Sequence, residues 1–152
     1  MPFLIERLHV YQRAVDFADV VLAATERFPR GYGCLADQLN RAAISIATNL
    51  AEGNGRFTKA DRRNFFGIAR GSMIECVPLL ELARRRRLIE DNDHAALSRR
   101  LEEIARMLSG LINGLTDRSN NRSVTPATST PARHKVERLP STNDGPTWTD
   151  SA

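Results

Sequence analysis

At 152 residues the chain is the size of one ordinary domain, and its 22 Lys and Arg against 18 Asp and Glu leave a formal net charge of +4. That balance permits an acidic or nucleic-acid partner without requiring one. No stretch approaches the ~18 apolar residues of a membrane span. The opening Met1-Pro-Phe-Leu-Ile-Glu-Arg7 meets charge before it reaches the length of a secretory leader, so a soluble cytoplasmic protein is expected.

Four helical segments are expected, in chain order. The first covers Ile5 to Arg27: Leu8, Tyr11, Val15, Ala18, Leu22 and Thr25 follow three- and four-residue steps, beside a parallel stripe of Ala14, Phe17, Val21, Ala24 and Phe28. Together they make the wide apolar face of a bundle helix. Pro29, Gly31 and Gly33 end it. The second runs from Leu35 to Glu52. Leu35, Leu39, Ala43, Ile46 and Leu50 share one arc, which Ile44, Ala47 and Ala51 widen until only Gln38, Arg41, Ser45, Asn49 and Glu52 remain as a polar stripe. A helix apolar around most of its circumference is buried on several sides, and a short chain has difficulty covering it alone. Contact with another subunit is therefore expected. Gly53 and Gly55 are read as its stop, because glycine suits the left-handed residue after a helix end.

The third helix opens at Thr58, where Thr58-Lys-Ala-Asp61 has the form of a capping box with Asp in place of Glu or Gln. It continues to Leu88 on a face of Phe65, Ala69, Met73, Cys76, Leu80 and Ala83, with Phe66 and Val77 at the margin. Pro78 removes one backbone donor within it and is expected to kink it. The fourth starts near Asp91 or Asp93 and ends near Leu115, with Leu97, Leu101, Ile104, Leu108, Leu111 and Leu115 as a heptad seam. Short connections between long helices favour antiparallel neighbours, so the fold class is all-α, an antiparallel up-down-up-down four-helix bundle over residues 1–117. Residues 118–152 are rich in Ser, Thr and Pro and read as a disordered tail holding Trp148, whose composition cannot bury enough apolar surface to offset its ordering entropy.

Several of these segments carry a family resemblance, running from Leu8 to Leu115. It rests on Leu8-His-Val-Tyr-Gln-Arg-Ala14, Phe28-Pro29, Phe65-Phe-Gly-Ile-Ala-Arg-Gly-Ser-Met-Ile-Glu75 and, above all, Gln38-Leu-Asn-Arg-Ala-Ala-Ile-Ser-Ile-Ala-Thr-Asn-Leu-Ala-Glu-Gly-Asn-Gly-Arg56. In these the chain resembles the small four-helix-bundle proteins encoded in intervening sequences of bacterial 23S ribosomal RNA genes, a family that includes the accessory variability proteins of diversity-generating retroelements. The resemblance implies an antiparallel four-helix bundle, a ring-shaped homopentamer, a nucleic-acid-binding role and no enzyme activity; a reverse transcriptase is one protein partner such an accessory could serve. The chain departs from the family pattern at Ala47-Thr48, where Pro-Ser is common, and at Pro78.

Two constellations stand out among the charged residues. Arg41, Ser45, Asn49 and Glu52 on the second helix and Glu75 on the third suit a polar network linking two helices or two subunits, since charge near a helix interface must be paired. If that network is buried, Arg41→Ala should lower the melting temperature by several degrees; the alternative is a ligand site. Lys59, Arg63 and Arg70 fall within a narrow arc of the third helix, with Arg62 nearby and Arg56 in the preceding loop. This basic stripe at a helix start suits phosphate. Repeated around a ring, it would gain by multivalency. With no aromatic placed among these positions for stacking, the binding expected is poorly sequence-specific.

Arg84-Arg-Arg-Arg87 spreads around the helix and complements its C-terminal dipole, with a second nucleic-acid contact as the alternative. Cys34 and Cys76 fit no metal or redox spacing, and Cys76 reads as a small buried thiol. His9, His94 and His134 are isolated, and Asp91-x-x-His94 alone approaches a di-iron motif. Gly53-x-Gly55 lacks the strand and third glycine of a dinucleotide fingerprint. No catalytic, metal or cofactor site is expected. The function expected is a non-enzymatic oligomeric accessory or scaffold that contacts RNA or DNA phosphate. The alternative is a protein-interaction scaffold without nucleic-acid affinity.

Overall fold

The computed structural model describes residues 8–116. The expected start of the first helix at Ile5, His134, and the tail with Trp148 lie outside the described residues. Within them the chain forms α1 (His9–Thr25), α2 (Gly33–Asn54), α3 (Lys59–Arg85) and α4 (Asp91–Thr116). Each helix packs on the next, and α4 closes back on α1, as an up-down-up-down bundle requires. None of the four is long and apolar enough to cross a membrane.

Burial follows the heptad logic of the sequence and trims it. On α1 the core face is Val10, Ala14, Phe17, Ala18, Val21 and Thr25, whereas Val15 and Leu22 of the first expected stripe stay exposed. One side of a helix in a four-membered bundle faces the axis, so two adjacent stripes cannot both be fully covered by a single chain. The same limit acts on α2. Leu39, Ala42, Ala43, Ile46, Ala47 and Leu50 are buried, while Ile44 remains exposed. Tyr11, Val15 and Ala18 of α1 join Ile44, Ala47, Thr48 and Ala51 of α2 along one shallow, mainly apolar groove. On α3 the buried positions are Phe66, Ala69, Ser72, Met73, Cys76, Leu80 and Ala83, so Phe66 replaces Phe65 in the core and Val77 faces out. On α4 Leu97, Leu101, Ile104 and Leu108 are buried, while Leu111 and Leu115 are partly covered.

The α2–α3 pair is the most extensively packed. Small residues at its contact, Ser45 bonded to Ser72 and Gly53 against Phe66, let the two axes approach closely. Gly53 corrects the expectation of a chain break: it lies inside α2, where an added Cβ would come within 2.7 Å of Cε1 of Phe66 and 3.1 Å of Cβ of Phe65. Its role is close approach rather than termination. Gly55, the residue that caps α2, has φ −77° and is not left-handed. Gly31, with φ +98°, does use glycine's freedom, in the α1–α2 connection.

The helix ends are otherwise set locally. The Thr58 hydroxyl accepts from the Asp61 backbone N–H at 3.1 Å and donates to the Asp61 carboxylate at 2.6 Å, capping α3. α3 runs unbroken through Pro78, whose side chain stands exposed. At the other end, Leu88 N–H bonds Ala83 C=O and Arg87 N–H bonds Arg84 C=O, the paired bonds of a Schellman motif. Arg87 occupies its left-handed position at φ 56°, where glycine is usual. Between helices, Thr25 bonds Asn40 at 2.7 Å across α1–α2, and Arg13 meets Glu103 at 3.2 Å across α1–α4.

Candidate nucleic-acid interface

The four-residue turn from Gly55 to Thr58 is pinned from both sides. Gly55 and Arg56 N–H groups bond back to Ala51 and Gly53, and Arg62 Nε donates to the Arg56 carbonyl at 2.9 Å. The Arg56 guanidinium pairs with Glu52 one turn earlier and lies 4.5 Å from the centroid of the Phe65 ring. Phe65 is partly covered beneath this guanidinium, while its neighbour Phe66 enters the core.

The three cations of the expected arc and the two expected beside it thus divide. Arg56 and Arg62 are engaged in building the turn. Lys59, Arg63 and Arg70 are exposed on one arc of α3 and have no acidic partner among the described residues. Between Lys59 and Arg70 the single acid is Asp61, on the opposite side of the helix and bonded to Thr58. The free stripe therefore presents uncompensated positive charge.

Phe57 corrects the expectation that no aromatic accompanies these cations: it is fully exposed in the same turn, between Arg56 and Thr58. The signal was present in the sequence. Phe57 falls between two helices and belongs to neither apolar stripe, so no core position could account for it.

The polar stripe of α2 is drawn together differently from expectation. Arg41 Nη2 reaches Glu75 at 2.9 Å and Gln38 at 3.0 Å, and the Ser45 and Ser72 hydroxyls bond at 2.7 Å across α2–α3. Asn49 Nδ2 donates to the Ser45 hydroxyl and carbonyl. Glu52 is outside this network and pairs with Arg56. Arg41 and Glu75 are 65% and 41% exposed at their side chains, so the pair contributes only about 0–1 kcal/mol. The condition for a melting shift of several degrees on Arg41→Ala is not met.

The arginine run at the end of α3 is compensated in its first half: Arg84 and Arg85 are paired, whereas the exposed Arg86 and Arg87 have no acidic partner among the described residues. Arg84 bonds Glu81 at 2.9 Å and Asp91 at 3.3 Å, and Arg85 bonds Glu81 at 2.7 Å. Hydrogen bonds from Arg84 and then Arg85 hold the Glu81 carboxyl at about 2, and the same contact with Glu81 raises Arg84. His94 Nε2 lies 3.6 Å from Glu81, at the base of the α3–α4 groove. Cys76 is buried, and that burial, followed by the nearby Glu75 charge, pushes its thiol up to about 12; Cys34 is exposed. Among the described residues no three His, Cys, Asp or Glu side chains gather where they could hold a metal ion.

Comparisons with known proteins agree with this architecture. The sequence profile of the 23S rRNA-intervening sequence protein family matches residues 6–110. A crystal structure of a protein of unknown function from the S23 ribosomal protein family of Bacteroides thetaiotaomicron superposes with a TM-score of 0.63. The match covers 68% of this chain and 97% of that one at 23% identity, a likeness of fold. No curated protein matches. With the helix-2 motif, the four-helix topology and the profile in agreement over more than half of its length, the chain belongs to the 23S rRNA-intervening sequence protein family.

Proposed function

We propose that this chain is a non-enzymatic, self-associating bundle that binds nucleic-acid phosphate and serves as an accessory to an RNA- or DNA-processing partner. The observation that carries the reading is the free cationic arc of Lys59, Arg63 and Arg70 on α3, unopposed by any described acid. Each contact to phosphate releases a counterion, so such an arc binds a polyanion in a salt-dependent manner. The exposed Val15, Leu22 and Ile44 along the α1–α2 side support self-association, because that apolar surface is relieved by a second copy. A ring of five would repeat the arc and multiply weak contacts into useful affinity. The family's name supplies an RNA context for this chemistry.

Gel shifts of the full chain with RNA and with duplex DNA, run across a salt series, test the reading. Binding at low salt that weakens steeply as salt rises is expected. No binding at low salt, or binding indifferent to salt, defeats it. Light scattering after gel filtration is expected to give about five times the monomer mass, whereas a stable monomer at micromolar concentration removes the oligomer.

A further inference from the structure

Phe57 is unlike the other exposed large apolar side chains among the described residues. Val15, Val20, Leu22, Ile44, Ile68, Ile74, Val77 and Leu82 keep 36–58% of their surface exposed on helices, each partly covered by its own bundle. Phe57 is fully exposed, and it sits on a turn rather than on a helix face. The turn is not loose. Gly55 and Arg56 are bonded back into α2, the Arg62 side chain grips the Arg56 carbonyl, and Thr58 is fixed as the cap of α3. The backbone on both sides of Phe57 is therefore held, and the ring is displayed in water by a pre-formed support.

Its surroundings say what would cover it. Arg56 precedes it, with its guanidinium stacked over Phe65, and Lys59, Arg62 and Arg63 follow within the first turns of α3. An apolar partner surface would have to bury these cations with the ring, which is costly without matching acids. A strand with phosphates on one side and π-faces on the other satisfies both kinds of group at once: cations take the backbone, and the ring takes a base. Bases inside a duplex are already stacked on their neighbours and are not available to a protruding ring, so the arrangement selects unpaired nucleotides.

We propose that Phe57 is a base-stacking platform beside the Lys59–Arg63 phosphate contacts, making the α2–α3 end of the bundle a site for single-stranded rather than duplex nucleic acid. This rests on the phosphate-binding reading above and specifies its ligand. Arg56 and Arg62 are the supports of the platform, and Lys59 and Arg63 are its electrostatic flank.

The test compares the full-length wild type with Phe57→Ala and Phe57→Trp. Each is titrated at low salt with labelled oligouridylate of about 20 nucleotides and with a blunt RNA duplex of the same length. Because the ring is fully exposed, both variants keep the wild-type helix content and melting curve, which circular dichroism verifies. The wild type is expected to bind the single strand more tightly than the duplex. Phe57→Ala should weaken single-strand binding about tenfold and duplex binding by less than about twofold, and Phe57→Trp should retain or strengthen single-strand binding. If Phe57→Ala leaves both affinities intact, or lowers both equally, the platform is overturned while the phosphate reading survives. If the wild type binds neither probe, the phosphate reading fails and takes the platform with it. A change in oligomer mass for Phe57→Ala, with oligouridylate affinity unchanged, assigns the ring to protein docking and also overturns the proposal.

Discussion

The two ends of α3 are both rich in arginine, yet they are built to opposite effect. At the N-terminal end, Lys59, Arg63 and Arg70 stand free while Arg56 and Arg62 brace the turn that displays Phe57. At the C-terminal end, Arg84-Arg-Arg-Arg87 is the denser run of charge, but Glu81 and Asp91 compensate Arg84 and Arg85 and leave only Arg86 and Arg87 unpaired among the described residues. The lesson is that a count of basic residues misplaces the electrostatic surface. What matters is which cations lack acids within reach: three on one arc in the first half of α3, against Arg86 and Arg87 alone at its end. The ends differ in packing as well. Near the first, α2 and α3 approach so closely that Gly53 has no room for a methyl group. The second ends in a turn that forces Arg87 into a left-handed conformation.

This contrast can be broken or sharpened by experiment. The largest effect is expected for Gly53→Ala. Its new Cβ would meet the buried Phe66 ring and the Phe65 Cβ, so overpacking should cost about 1–3 kcal/mol and lower the melting temperature by several degrees. An unaltered melting curve would show that the contact relaxes freely. Next comes the charge comparison. The double variant Lys59→Ala, Arg63→Ala should reduce the slope of log K against log salt for RNA by roughly 1.5, whereas Arg84→Ala, Arg85→Ala should leave it nearly unchanged. Equal effects of the two pairs would erase the distinction between the ends of α3. Arg87→Gly should act in the opposite direction to Gly53→Ala, raising stability by about 0.5–1 kcal/mol in denaturant titration, because it relieves a left-handed arginine and gives back part of that gain as unfolded-state entropy.

The smallest effect belongs to Glu81. Its folded-state pKa of about 2 lies below the ordinary value of 4.5, so its pairing with Arg84 and Arg85 stabilises the protein fully above 4.5 and is lost as pH falls toward 2. Glu81→Gln should flatten that part of the profile of melting temperature against pH. Solvent screening at these partly exposed side chains keeps the difference slight. Profiles that run parallel through the window would show that the cluster contributes nothing to folding.

Reading the sequence located the helices because three- and four-residue apolar spacing is a property of local sequence. Thr58 and Asp61 signalled a helix start for the same reason: a cap is made within one turn. The misjudged positions are those where two elements meet. Gly53 and Gly55 resemble a stop signal, yet Gly53 is required by the rings of Phe65 and Phe66 on the neighbouring helix. Phe65 and Phe66 are adjacent on the helix and flank the apolar stripe, and only the neighbours across the gap distinguish them: Gly53 faces the Phe66 ring and Arg56 lies over Phe65. Glu52 belongs to the same stripe as Arg41, but Arg56 one turn on claims it. In the candidate site, the basic arc was legible from spacing, and so was the place of Phe57 outside both apolar stripes. The division into free and engaged cations was not.

Sequence by itself determined four amphipathic helices, their order and the bundle they form, together with membership of a family whose signature runs through α2 and α3. Those properties depend on periodicity and on residues close together in the chain. Tertiary structure alone decided which apolar stripe is core and which faces water, why Gly53 is glycine, and which cations keep their charge available. Each of these depends on a distance between helices, and burial and Coulomb pairing are set by what lies across the gap rather than by what lies next in sequence.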